Sequence, residues 1–181
     1  DLRLQHAGKT FYVLDGFGKK TLQVVDEQGV MVNSKELKFP LDESGYHFYQ
    51  GLEILGGKLT CISFLHLKKS EKTMLCIREI DPETLEWAGT LKYLATFEKQ
   101  TVKSVRFYNE AVSPDRSKML VSCRGQIRYE VPTGKKLLVI DEDYEVVNAT
   151  ENVAFRNDPL FQIAEISIQN NGNIFYLGRV F

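Results

Sequence analysis

Short apolar segments separated by turn residues recur along the whole chain. They are rich in Val, Ile, Leu, Phe and Tyr, as in residues 59–67 and 137–140, and this composition is typical of β-strands. Several segments are apolar at consecutive positions, which predicts strands buried on both faces and sheets stacked face to face. The best helical candidate is 91–99, but no segment of helical length has a convincing 3.6-residue period, so we expect few helices in an all-β chain.

One turn sequence occurs three times. Residues 25–33 (VDEQGVMVN) align without a gap with residues 140–148 (IDEDYEVVN), and a third copy lies at 78–86, with the aspartates 55 and 60 residues apart. A second series, 48–51 and 107–110, has an offset of 59. Two series with one period of about 57 residues indicate a repeat architecture.

Each repeat is predicted to contain four short strands, lettered A to D in chain order. Stacks of small four-stranded antiparallel sheets are the architecture of β-propellers. The strands are predicted at 47–54, 59–67, 73–80 and 86–93 in the second unit, and at 105–112, 119–129, 137–140 and 144–149 in the third. As parts of a single domain over 1–181, we expect a partial blade at 11–40, blades at 46–98 and 104–152, and a partial blade at 161–181.

One turn resembles a turn of known propellers. Residues 111–121, which contain Ser113, Pro114 and Asp115, resemble the Ser-Pro-Asp-Gly turn between the A and B strands of WD40-like and related bacterial propellers, and a looser copy follows at 169–175. The Trp-Asp and Gly-His signatures of WD40 blades are absent. The resemblance therefore implies the propeller superfold but no specific family, and a β-sandwich of irregular hairpins is the alternative.

The repeats present cannot close a ring. The first unit is predicted to start at Phe11 with strands B, C and D and no A strand, and the last to stop after A and B at Phe181. Propellers use four to eight blades, so about three and a half repeats leave an open array. An open array exposes apolar faces at both ends, which invite pairing. We therefore expect a fragment of a longer propeller, or a homodimer that approximates a six-bladed ring.

Composition and charge argue against some classes of binding partner. A formal net charge of −1 with 26% charged residues gives no large field of either sign, so nucleic acid and anionic membranes are not expected partners. No apolar run approaches the ~20 residues that span a bilayer, and the chain reads as a soluble protein. Because the first residue is Asp1, a cytoplasmic location and a periplasmic or secreted one after signal removal both stay open.

The cysteines are predicted to be buried thiols. Cys61, Cys76 and Cys123 form an odd set within apolar strand-like segments, which favours reduced core residues over a disulfide framework. A bond between Cys61 and Cys76 across a hairpin is the alternative.

No motif predicts a cofactor, a metal or a catalytic residue. Residues 16–21 begin like a dinucleotide fingerprint but lack its third glycine, and 133–135 lack the upstream glycine of a P-loop. The three histidines have no metal-ligand spacing, and the acidic run 141–143 belongs to the repeated turn rather than to a calcium loop. Residues 148–150 form a glycosylation sequon, which matters only in a secretory setting.

Candidate binding residues lie on the predicted A strands. In propellers these strands line the central channel, and aromatic and basic groups at corresponding positions of successive blades suit a site at the channel mouth. We take His47, Tyr49, Arg106 and Asn109 as candidates for this rim. The alternative is that the aromatic side chains only pack between blades.

The favoured function is a non-enzymatic binding or scaffold module that presents its loops to a protein, peptide or glycan partner, on fold-level analogy. One alternative is part of a propeller enzyme of hydrolase or lyase type, with catalytic groups largely outside this chain. Another is an assembly element whose open ends join other subunits.

Overall fold

The computed structural model describes residues 3–16, 19–39, 45–98, 105–125, 135–151 and 161–180. Within these ranges the chain forms β-strands and no helix. The strands are β1 (Arg3–His6), β2 (Lys9–Gly16), β3 (Lys19–Val25), β4 (Met31–Glu36), β5 (Gly45–Leu55), β6 (Lys58–Leu67), β7 (Lys72–Ile80), β8 (Trp87–Phe97), β9 (Val105–Val112), β10 (Lys118–Gly125), β11 (Lys135–Asp141), β12 (Val146–Glu151), β13 (Phe161–Ile168) and β14 (Ile174–Val180).

The strands form four antiparallel sheets in chain order. Sheet 1 contains β1 to β4, sheet 2 contains β5 to β8, sheet 3 contains β9 to β12, and sheet 4 contains β13 and β14. Each strand pairs with the next one along the chain, since tight turns can join only antiparallel neighbours. The predicted fold class is confirmed: the described residues form an all-β, incomplete propeller-like array that does not close.

Two predictions about individual segments are wrong. Residues Arg3–His6 pair with β2, so an A strand does precede Phe11 and sheet 1 has four strands. Only Leu4 in this strand is apolar, which left too little pattern to reveal it. The helical candidate 91–99 instead contributes residues 91–97 to β8, where pairing with β7 outweighs local propensity.

The repeated turn sequence is also a structural repeat. In sheets 1, 2 and 3 it joins the third strand to the fourth, and the backbone N–H of Asp26, Asp81 or Asp141 donates to a carbonyl across the turn. The Oδ1 atom of each aspartate accepts two further backbone N–H groups at 2.8–3.1 Å. This Asx-turn geometry explains why aspartate recurs with the period of the sheets.

The sheets stack face to face around three apolar clusters. Inner strands are buried on both faces, as the sequence predicted, because each face contacts a different neighbouring sheet. Between sheets 1 and 2 the cluster includes Phe11, Leu22, Val24, Ile54 and Leu59; between sheets 2 and 3, Phe64, Leu75, Ile77, Met119 and Ile140; between sheets 3 and 4, Leu120, Leu137, Val139 and Ile168. First strands of neighbouring sheets approach each other, β1 near β5 and β9 near β13.

All three cysteines are buried thiols that form no disulfide. Arg78, rather than Cys76, lies opposite Cys61 in the register of β6 and β7, so the disulfide alternative is wrong. Burial raises the pKa of the Cys76 thiol to about 12 and that of Cys61 still further.

Parts of some predicted segments, at 17–18, 126–134 and 152–160, lie outside the described residues. Among the residues that are described, no helix is long and apolar enough to cross a membrane.

Candidate binding surface

Two of the predicted rim residues lie between sheets 1 and 2. The imidazole of His47 on β5 stacks on Phe39, with ring centroids 5.2 Å apart and planes 8° apart, and its Nδ1 lies 3.2 Å from Ser63 Oγ. Tyr49 packs against the apolar cluster of the two sheets, and burial raises the pKa of its hydroxyl. Both side chains therefore have a clear packing role.

The other two rim residues lie on β9 and make different contacts. Asn109 Nδ2 donates to Glu53 Oε2 at 2.7 Å, and Arg116 Nη1 donates to the other oxygen of that carboxylate at 3.3 Å. Asn109 thus links sheet 3 to sheet 2, whereas Arg106 is exposed. The described contacts leave the four residues in separate groups, and the shared rim site stays a prediction.

Sheets 2 and 3 each dock on the preceding sheet through the repeated turn, which we call the docking turn (residues 81–86 in sheet 2, 141–145 in sheet 3 and 26–30 in sheet 1). An anchor side chain in the turn points into the neighbouring sheet. Leu85 is 3% exposed and Tyr144 is 8% exposed, and both have positive φ, +57° and +63°. The sequence predicts a strand that begins at Tyr144, but β12 begins at Val146. A bulky residue in this sparsely populated conformation indicates that its burial outweighs the backbone strain.

The contacts of Tyr144 show how the anchor is held. Its Oη lies 2.9 Å from Thr60 Oγ1 of sheet 2, and the Lys58 ammonium lies 5.3 Å from the centre of its ring. Burial raises the pKa of the Tyr144 hydroxyl to about 12, so the hydroxyl stays protonated well above neutral pH.

Ion pairs flank each anchor. Lys9 of sheet 1 pairs with Glu83 at 2.5 Å, and Lys58 of sheet 2 lies 3.9 Å from Asp143 and donates to the Glu142 carbonyl at 2.9 Å. A second series joins the fourth strand of one sheet to the docking turn of the next: Lys35 pairs with Glu86, and Lys92 pairs with Glu145 at 2.5 Å.

Sheet 1 lacks these docking groups. Its docking turn carries Gln28, Gly29 and Val30 where sheet 3 has Asp143, Tyr144 and Glu145. The two acids and the anchor are thus all replaced, and a β-carbon on Gly29 would meet nothing within 4 Å.

At two cross-strand pairs, the outer face of sheet 1 is more polar than the corresponding face of another sheet. Gln5 and Thr10 lie opposite each other where sheet 2 has Ile54 and Leu59. Tyr12 and Gln23 lie opposite each other where sheet 3 has Val121 and Leu138. The same face also exposes apolar side chains, since Leu14 is 44% and Met31 is 58% exposed. The outer face of sheet 1 is therefore mixed rather than uniformly apolar.

An open concavity of about 510 Å³ lies on this outer face. Arg3, Gln5, Thr10, Tyr12 and Val25 form its floor, and the turns at 7–9 and 26–29 form one end. The two turns are in contact there, since a β-carbon on Gly8 would lie 2.7 Å from Glu27 Oε1.

The concavity offers a guanidinium, an amide and a phenol to a ligand. Among the described residues, the side chains of Arg3, Gln5 and Tyr12 have no hydrogen bond or ion pair, so their hydrogen-bonding groups are available. Sequence reasoning missed this surface because it missed β1. The available signal was the alternation of Arg3, Leu4, Gln5 and His6, which places one apolar side chain on the buried face.

Within the described ranges, no group of three or more His, Cys, Asp or Glu side chains is placed to hold a metal ion. Comparison with protein families and with curated proteins finds no match for this chain.

Proposed function

We propose that this chain is a non-enzymatic binding module whose ligand site is the outer face of sheet 1. The observation that carries the proposal is the replacement, on this one face, of apolar side chains by Gln5, Thr10 and Gln23 beside Arg3 and Tyr12. On this rigid sheet the hydrogen-bonding groups of Arg3 and Gln5 are exposed and those of Tyr12 and Gln23 are partly exposed, while Thr10 is buried. Binding sites of this kind depend on a few well-placed polar groups held by a rigid scaffold.

Among protein, peptide and glycan partners, a neutral glycan fits this surface best. Sugar hydroxyls donate and accept hydrogen bonds, and the amides of Gln5 and Gln23 also do both. The Tyr12 ring supplies an apolar surface with a polar end for the C–H face of a sugar. An extended oligosaccharide also matches the open shape of the concavity, which is bounded by turns at one end.

The test is a titration of the full chain, followed by backbone NMR, with soluble neutral oligosaccharides: cello-, xylo-, manno- and chito-oligosaccharides. We expect at least one series to shift the resonances of β1, β2 and β3. Tyr12→Ala should then weaken binding by at least about tenfold, because it removes the aromatic platform.

The matched control is Tyr93→Ala, which removes a tyrosine that is 55% exposed on β8 of sheet 2. It should leave the affinity unchanged. The proposal is wrong if no series shifts the sheet 1 resonances, or if Tyr93→Ala weakens binding as much as Tyr12→Ala does.

A further inference from the structure

We infer that the opposite end of the array, at sheet 4, is a docking surface for a partner β-hairpin whose turn carries an acidic side chain and a bulky anchor. This inference concerns a different face from the proposed ligand site and does not depend on it. Three features of the described residues carry it: an open strand edge, an exposed apolar pair beside that edge, and a lysine without a salt bridge to a described residue, at the position that holds docking turns elsewhere.

The open edge belongs to β14. In sheets 1, 2 and 3 the second strand has a neighbour on each side, but β14 pairs only with β13 among the described strands. One row of its backbone N–H and C=O groups therefore has no strand partner there. An exposed edge of this kind accepts an added strand through main-chain hydrogen bonds.

The apolar pair lies on the same strand. Ile174 and Tyr176 pack against sheet 3, while Phe175 and Leu177 point the other way and are 51% and 61% exposed. Side chains of an added strand would lie beside this pair and reduce its exposure. On the outer face of sheet 1, by contrast, the exposed apolar side chains Leu14 and Met31 lie among polar residues.

Lys118 identifies the chemistry of the partner. Lys9, Lys58 and Lys118 are each the first residue of the second strand of their sheet. Lys9 and Lys58 hold acids of the next sheet's docking turn. Lys118 makes no salt bridge with a described residue; its ammonium interacts at longer range with the Asp115 carboxylate of its own sheet, and its stem lies beside Gly172. A hairpin added to β14 would bring its turn over Lys118, as β7–β8 and β11–β12 do over Lys9 and Lys58.

Sheet 3 has no counterpart of the fourth-strand lysine Lys35. Thr150, which lies opposite Leu137, occupies the position that Lys35, opposite Leu22, holds in sheet 1. The partner therefore needs one acid over Lys118 and an anchor, but not the second acid.

A second copy of the chain is not the expected partner. Its docking turns in sheets 2 and 3 are already held by its own lysines, and the turn of its sheet 1 has no anchor and carries Gln28 at the position of the lysine-bound acid.

The test adds a synthetic hairpin with the sequence of residues 135–151 to the full chain. We expect the free-edge amides of β14 to become protected from hydrogen exchange. A peptide with Asp143→Gln and Tyr144→Gly, which copies the turn of sheet 1, should bind at least about tenfold more weakly because the anchor carries most of the contact.

Exchanging the charges of Lys118 and of the acid in the peptide tests whether the peptide binds at Lys118. Lys118→Glu in the full chain should weaken binding of the original peptide about three- to fivefold, the effect of an exposed ion pair, and a peptide with Asp143→Lys should restore it. Circular dichroism checks that the variant is folded. The matched control is Lys69→Glu, another lysine charge reversal, at the exposed turn between β6 and β7, which should have no effect.

The inference is overturned if no peptide binds, if protection appears away from β14, or if Lys118→Glu has no effect. It is also overturned if light scattering shows a dimer of the chain alone with protected β14 amides. The proposed ligand site on sheet 1 is tested independently of the hairpin site, because Tyr12→Ala should leave hairpin binding unchanged.

Discussion

Gly56 shows how one residue can control the contact between two sheets. It lies in the turn between β5 and β6 with φ of +56°, and its N–H donates to the Arg116 carbonyl of sheet 3 at 2.7 Å. A β-carbon there would overlap Glu142 Cβ and lie 3.4 Å from Glu142 Cα. Rotation of the Glu142 side chain cannot relieve this overlap, because its β-carbon is fixed by the backbone.

We therefore expect Gly56→Ala to destabilise the fold by about 2–4 kcal/mol, combining backbone strain with overpacking. Gly57 is the matched control: its φ is +74°, but nothing lies within 4 Å of an added β-carbon. Gly57→Ala should cost only the conformational term of about 1–2 kcal/mol. Urea unfolding measures both, and equal losses would contradict this view of the sheet interface.

At the scale of the hairpin, the sequence predicted the repeated turn correctly because its aspartate forms hydrogen bonds within the turn itself. Each of Asp26, Asp81 and Asp141 accepts backbone N–H groups of its own turn, so the same residue is needed wherever the turn occurs. β1 could not be predicted in the same way, since it is short and mostly polar. The docking of Tyr144 on Thr60 depends on residues 84 positions apart, which no local pattern records.

The Asx-turn also predicts a pH effect. Backbone N–H groups of Thr84 and Glu83 hold the pKa of the Asp81 carboxyl below its usual 3.8. A lowered folded-state pKa means that this contribution to stability is present above the unfolded pKa and is lost as the pH falls through the folded one.

Asp81→Ala should therefore lower the Tm at pH 7, whereas Asp81→Asn, which keeps an Oδ1 acceptor, should lower the Tm much less. Both variants should lose less Tm than the parent chain on acidification from pH 7 to pH 3. Calorimetry at the two pH values measures this. An acid-induced loss as large in both variants as in the parent would show that Asp81 does not contribute to it.

At the scale of the whole molecule, the two ends of the array differ. Sheet 1 presents amides and hydroxyls and a docking turn that lacks the anchor and the two pairing acids of sheet 3, while sheet 4 presents an open edge with Phe175 and Leu177 exposed. The period found in the sequence predicted the number of repeats and the open array. It could not predict this asymmetry, because the polar face of sheet 1 becomes apparent only when Gln5 and Tyr12 are placed opposite Thr10 and Gln23.

The most direct test of this open array is strand-by-strand hydrogen exchange of the full chain alone. β6, β10 and β14 are each the second strand of their sheet, but only β14 lacks a described neighbour on one side. We expect the free-edge amides of β14 to exchange at least about a hundredfold faster than the slowest amides of β6 and β10, because strands covered on both sides open only with the core. Protection of every β14 amide to the level of β10 would contradict the open edge and with it the unfinished array.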